Sequence, residues 1–112
     1  MGCVSVVRVF YVLRKKAGME DAHFRDYWRN TQGPLMARIP GLLKYIQSYP
    51  FPDPHGDPLP ADGIAELQFA SIPDMLDALA SSEAKAALAD VANFADTASS
   101  GAIVIEEDQV LV

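Results

Sequence analysis

The chain has one cysteine, one tryptophan and two histidines among 112 residues. A single cysteine excludes an internal disulfide and fits a reducing compartment, so a cytoplasmic protein is expected. No apolar run reaches the roughly 18 residues that a membrane-spanning helix needs, so no membrane is expected as a partner. The basic cluster Arg14-Lys15-Lys16 follows the first apolar stretch, the reverse of a secretory signal. Metal-ligand spacing is missing, with no His-x-x-x-His, no cysteine pair and scattered carboxylates. A glycine-rich phosphate loop is missing too. No metal and no other cofactor is therefore expected. Positive charge is short: the net charge is −6, which argues against nucleic acid, whose phosphates call for basic patches. Eight of nine Lys and Arg lie within residues 1–44, and twelve of fifteen Asp and Glu follow them. A solvated surface with a lopsided order explains this more simply than an electrostatic function.

What is present is apolar patterning, half of the residues being hydrophobic, which suits one domain over residues 1–112. Residues 4–13 are rich in β-branched and aromatic side chains and predict a strand. It is apolar on both faces, so both faces are expected to be buried. Glu20 and Asp21 open a helix at the positive end of its dipole. Phe24, Tyr27, Trp28, Thr31 and Leu35 then recur at helical spacing. Gly33-Pro34 is expected to break or kink that helix, since proline removes a donor and restricts the residue before it. A short turn runs on through Ile39, and an Ile39-Pro40-Gly41 corner leads into a strand over 42–49. Residues 50–63 hold five of the eight prolines and read as a long irregular loop. Gly63 to Phe69 is a third strand. Ser71-Ile72-Pro73-Asp74 resembles a capping box opening a helix, with Ile72, Met75, Leu76 and Leu79 on one face. Ser81-Ser82 interrupts it, and an alanine-rich half follows from Glu83 to Val91. Ala102–Ile105 and Val110–Val112 make a last, divided strand.

The order βαββαβ predicts an α+β, ferredoxin-like fold. Its four-stranded antiparallel sheet has central first and third strands and helices on one face. The other face still carries apolar residues, so a self-complementary homodimer is expected, closing a dimeric α/β barrel.

Four segments, Lys16-Ala17-Gly18-Met19, Phe24-Arg25-Asp26-Tyr27-Trp28, Gly33-Pro34-Leu35-Met36-Ala37 and Ile39-Pro40-Gly41-Leu42, are followed by Tyr45 and Gln47. In these residues, their order and their spacing, the sequence resembles the EthD family of dimeric α/β-barrel proteins. Phe94-Ala95-Asp96 and the acidic Glu106-Glu107 also fit. The resemblance implies a small aromatic or lactone-like ligand held between sheet and helices, handled by proton chemistry without metal or flavin. The family takes its name from a component of an ether-degradation cluster. Relatives include methylmuconolactone isomerases and fungal dehydratases or decarboxylases of polyketide intermediates.

Gln32 stands where that family usually keeps a histidine, immediately before Gly33-Pro34. Glutamine does not titrate, but it donates and accepts hydrogen bonds. It is a candidate either to orient a ligand or to cap the helix end. Tyr11, on the first strand, and Trp28, one turn before Gln32, are candidate ligand walls, with core packing as the plainer reading. His55, beside Asp53 and Asp57, is the candidate acid-base group, against an ordinary exposed loop histidine. His23 reads as surface and Cys3 as a small hydrophobe. Glu66 is expected to pair with Arg8 across neighbouring strands. Two functions follow: an isomerase, dehydratase or cyclase without cofactor, or a non-catalytic binding or accessory protein.

Overall fold

A computed structural model describes residues 6–112, so Cys3 and the first residues of the expected opening strand lie outside the described part. The sheet is built from β1 (Val7–Leu13), β2 (Lys44–Ser48), β3 (Gly63–Phe69) and β4 (Gly101–Ile105). Their spatial order is β2-β3-β1-β4, every pair antiparallel, so β1 and β3 are central. The helices are α1 (Asp21–Tyr27), α2 (Gly33–Met36), α3 (Ile72–Leu79) and α4 (Ser82–Asp90). This is the ferredoxin-like α+β arrangement that the element order predicts.

Alternation along the central strands sorts the two faces. Val7, Val9 and Leu13 of β1, and Ala65, Leu67 and Phe69 of β3, are buried beneath the helices. Phe24 and Trp28 of the first helical stretch and Phe94 after α4 complete that core, with ring centroids 5.6–5.7 Å apart. The opposite face carries Phe10, Val12, Ile46, Ile64 and Ile103, of which Ile64 and Ile103 are 40% and 58% exposed.

Of the two outcomes expected at Gly33-Pro34, the helix is not broken but its α-helical pattern is disturbed just before the pair. Trp28–Gln32 form a π-helical turn that continues directly into α2, with Gly33 at φ −51°, ψ −51°. Glycine has no Cβ to meet the proline ring, so the usual bar to helix before proline is relieved. The wider π turn gives the ring room against the preceding carbonyl. This helix ends at Met36, and the chain turns toward β2 at Gly41, whose φ of +81° is open to glycine at little cost.

Other boundaries also moved. The second strand begins at Lys44, not Leu42, and Leu43 is exposed. In α3, Met75 and Ala78 are buried while Leu76 is 58% exposed, so the helix is rotated from the expected face. Ala78 packs close to the Gly41 corner, an approach open to a small side chain. Ser71 and Ser81 cap α3 and α4, accepting from the amides of Asp74 and Ala84. Val110–Val112 form no strand and stand exposed. Ile105 pairs with Arg8, the last pairing of β4 with β1 among the described residues. Arg8 pairs with Asp108 of that tail rather than with Glu66, which accepts from Gln68 Nε2 at 2.6 Å.

Candidate functional site

The helix-facing side of the sheet does not close fully against the helices. A cavity of about 140 Å³ remains between them. Val9, Tyr11 and Leu13 of β1 and Ala65 and Leu67 of β3 line its floor. Trp28, Gln32 and Met36 wall one side, and Leu79, Val91 and Phe94 the other. Leu88 and Ala102 stand exposed at its edge. Tyr45, from β2, completes the wall. Behind that wall α4 packs into the core through Ala84 and Ala87, both fully buried.

The lining is almost wholly apolar, and its few polar groups are held in place. Gln32 is 2% exposed, and its Nε2 donates to the Ala87 carbonyl across the core at 2.8 Å. It therefore does not cap its own helix. No described residue donates to its Oε1. The Trp28 carbonyl accepts from the Gly33 amide within the π turn and from Gln47 Nε2 at 2.8 Å. The same Nε2 lies 3.1 Å from the Tyr45 hydroxyl, which accepts from it. Burial pushes the Tyr45 phenol above its ordinary value. The Tyr11 hydroxyl makes no hydrogen bond with a described residue. Tyr11 and Tyr45 are the titratable side chains of the lining; carboxylate, imidazole, ammonium and guanidinium are absent from it.

Of the four residues singled out from sequence, Tyr11, Trp28 and Gln32 meet in this cavity, and His55 does not. His55 is exposed in the proline-rich loop, where Asp53 Oδ2 accepts from the amides of His55 and Asp57 at 2.8 and 3.0 Å. This is an Asx turn that folds the loop on itself. Trp28 is core and wall at once: it is 1% exposed, in a T-shaped contact with Tyr49, with the six-membered ring of its indole close against β3 at Gly63.

Tyr45 belongs to the set of aromatic side chains that the sequence offers as ligand walls but was not singled out from it, and the far wall was missed. Leu79, Val91 and Phe94 looked like ordinary helix-face residues. A further polar contact lies beside the cavity. The Tyr27 hydroxyl donates to Asp90 Oδ1 at 2.6 Å, and this bond raises the affinity of Tyr27 for its proton. Tyr27 stacks on Phe94, their centroids 5.3 Å apart. Among the described residues no three His, Cys, Asp or Glu side chains gather as metal ligands. No helix among them is long and apolar enough to cross a membrane.

The architecture is similar to several solved structures. One is an EthD family protein from Bacillus halodurans, at 21% identity and a TM-score of 0.79, covering 92% of this chain and 99% of the other. Another is the hydroxynitrile lyase of Passiflora edulis, at 14% identity and a TM-score of 0.76, covering 98% and 100%. A third is a dimeric ferredoxin-like protein of unknown function from Thermobifida fusca, at 16% identity and a TM-score of 0.69, covering 92% of each chain. No curated protein matches the chain in sequence. Residues 16–98, which contain most of the cavity wall, match the EthD domain, and the chain belongs to the EthD family.

Proposed function

We propose that the protein binds one small, flat, mainly apolar molecule per subunit, aromatic or lactone-like, between sheet and helices. The observation that carries this reading is the cavity itself: set between sheet and helices, apolar, and about 140 Å³ in volume. An apolar cavity of about 150 Å³ is enough to hold benzene, so a single ring fits with its substituents at the open edge. Tyr11, Trp28 and Gln32 are the proposed binding residues, joined by Tyr45. Membership of the EthD family and the likeness to a hydroxynitrile lyase support a small-molecule role.

Binding without turnover is the reading that the geometry supports best. Isomerisation, dehydration or cyclisation needs a group that exchanges protons near neutrality. The cavity offers two phenols, and burial raises one of them further from neutrality. A catalytic role for His55 requires the 50–63 loop to carry it from its exposed turn to the cavity edge. The proposed unit is a homodimer, supported by the apolar outer sheet face and by the dimeric neighbour of the same fold.

Toluene tests the binding reading. At ten times its dissociation constant it raises the melting temperature by several degrees, as expected for a ligand that binds only the folded state. Ala102→Phe, which fills the exposed edge, abolishes that rise. A melting temperature indifferent to toluene in both proteins contradicts the proposal.

A further inference from the structure

We infer that the part of the ligand held inside the cavity is a bare hydrocarbon group, an aryl or compact alkyl end, and that the ligand's polar group stays outside at the mouth beside Leu88 and Ala102. The inference rests on the cavity being a ligand site, and it fixes which end of the ligand enters. The polar side chains around the space turn their polar atoms elsewhere. Gln32 Nε2 is committed to the Ala87 carbonyl at 2.8 Å, and Gln32 Oε1 presents no surface to the space. Gln47 Nε2 occupies the Trp28 carbonyl and lies 3.1 Å from the Tyr45 hydroxyl. What Gln32, Tyr11 and Tyr45 leave facing the cavity is stem and ring, so its surface is almost wholly apolar.

A hydroxyl, carbonyl or ether oxygen placed inside gives up its bonds to water and finds no partner, which weakens binding by about tenfold or more. A carboxylate or an ammonium group fares worse, because the lining holds no charge to offset its lost hydration. A hydrocarbon group meets no such penalty, and its burial is favourable in proportion to the area removed from water. Burial of the lining marks where the polar remainder leaves. Val9, Met36 and Leu67 are buried, whereas Leu88 and Ala102 are exposed. An apolar cavity of about 150 Å³ takes up benzene, so one ring or a branched alkyl end fills this one. A lactone therefore enters by a hydrocarbon substituent, not by its ring oxygen.

Three para-disubstituted benzenes of nearly equal size test this on the unmodified protein near pH 7: p-xylene, p-cresol and, under argon, hydroquinone. They carry no hydroxyl, one and two. p-Cresol can enter methyl first and leave its hydroxyl in water, whereas hydroquinone must bury one. The affinity for p-cresol is expected to lie within about tenfold of that for p-xylene, and the affinity for hydroquinone at least about tenfold below that for p-cresol. Intermolecular nuclear Overhauser effects read the orientation. The p-cresol methyl should contact the side chains of Val9, Met36 and Leu67, and the ring protons beside its hydroxyl those of Leu88 and Ala102. Hydroquinone bound as tightly as p-cresol, or p-cresol seated with its methyl at Leu88 and Ala102, overturns the inference while p-xylene binding still supports a ligand site. A p-cresol affinity far below that for p-xylene also overturns it, since the mouth then passes no polar group. Failure of both p-xylene and p-cresol to bind overturns the site itself.

Discussion

Gly63 and Trp28 are in direct contact: a Cβ on Gly63 would stand 2.5 Å from Cζ3 of the indole. The absence of a side chain at this point of β3 is what lets the six-membered ring of the indole approach the strand so closely. Gly63→Ala is therefore expected to displace Trp28. Overpacking of this kind costs roughly 1–3 kcal/mol. Chemical denaturation should show a lower midpoint at unchanged slope, with an altered emission spectrum from the single tryptophan. Unchanged stability and emission would mean that the ring is not held there.

Alkaline stability follows from the two raised phenols. Tyr45 is raised chiefly by burial and Tyr27 chiefly by its bond to Asp90. The folded chain then keeps protons that the unfolded chain releases from about pH 10 upward. Stability is full below that value and declines as the pH rises through the raised values. Thermal melts from pH 8 to 11 should show the decline, and Tyr45→Phe should make it shallower. An identical slope in the variant would contradict the assignment.

The outer sheet face makes a separate prediction. Ile103 is 58% exposed beside Phe10, its cross-strand partner. If a second copy covers this face, Ile103→Lys buries an unpaired ammonium in the interface and shifts the dimer toward monomer. Sedimentation equilibrium at micromolar concentration should show a dimer for the unmodified chain and a weaker one for the variant. A stable monomer in both would remove the dimer from the account.

The elements legible in the sequence were those with strong local signals. β3 spans Gly63–Phe69 as its alternation predicts, and Ser71 caps its helix as its spacing predicts. Where the expectation failed, a contact distant in sequence decided the outcome. The helix survives Gly33-Pro34 because Gly33 lacks the Cβ that would clash, and because the Trp28 carbonyl finds Gln47 as well as the Gly33 amide. Val110–Val112 had strand composition but pair with no strand among the described residues. Three of the four candidate site residues lie on elements whose facing periodicity reveals. His55 lies in a loop, where composition says nothing about direction. The far wall escaped notice because Leu79, Val91 and Phe94 carry the same apolar signal as ordinary core residues, and only the folded arrangement shows that they border a space.

Trp28 makes the central claim directly measurable, since it is the chain's single tryptophan and forms part of the cavity wall. Titration with toluene, followed by the emission of that indole with excitation near its red edge, reports occupancy without any label. The account predicts a saturable change fitted by one site per subunit and lost in Ala102→Phe. An emission that never saturates, or that responds equally in the blocked variant, would contradict it.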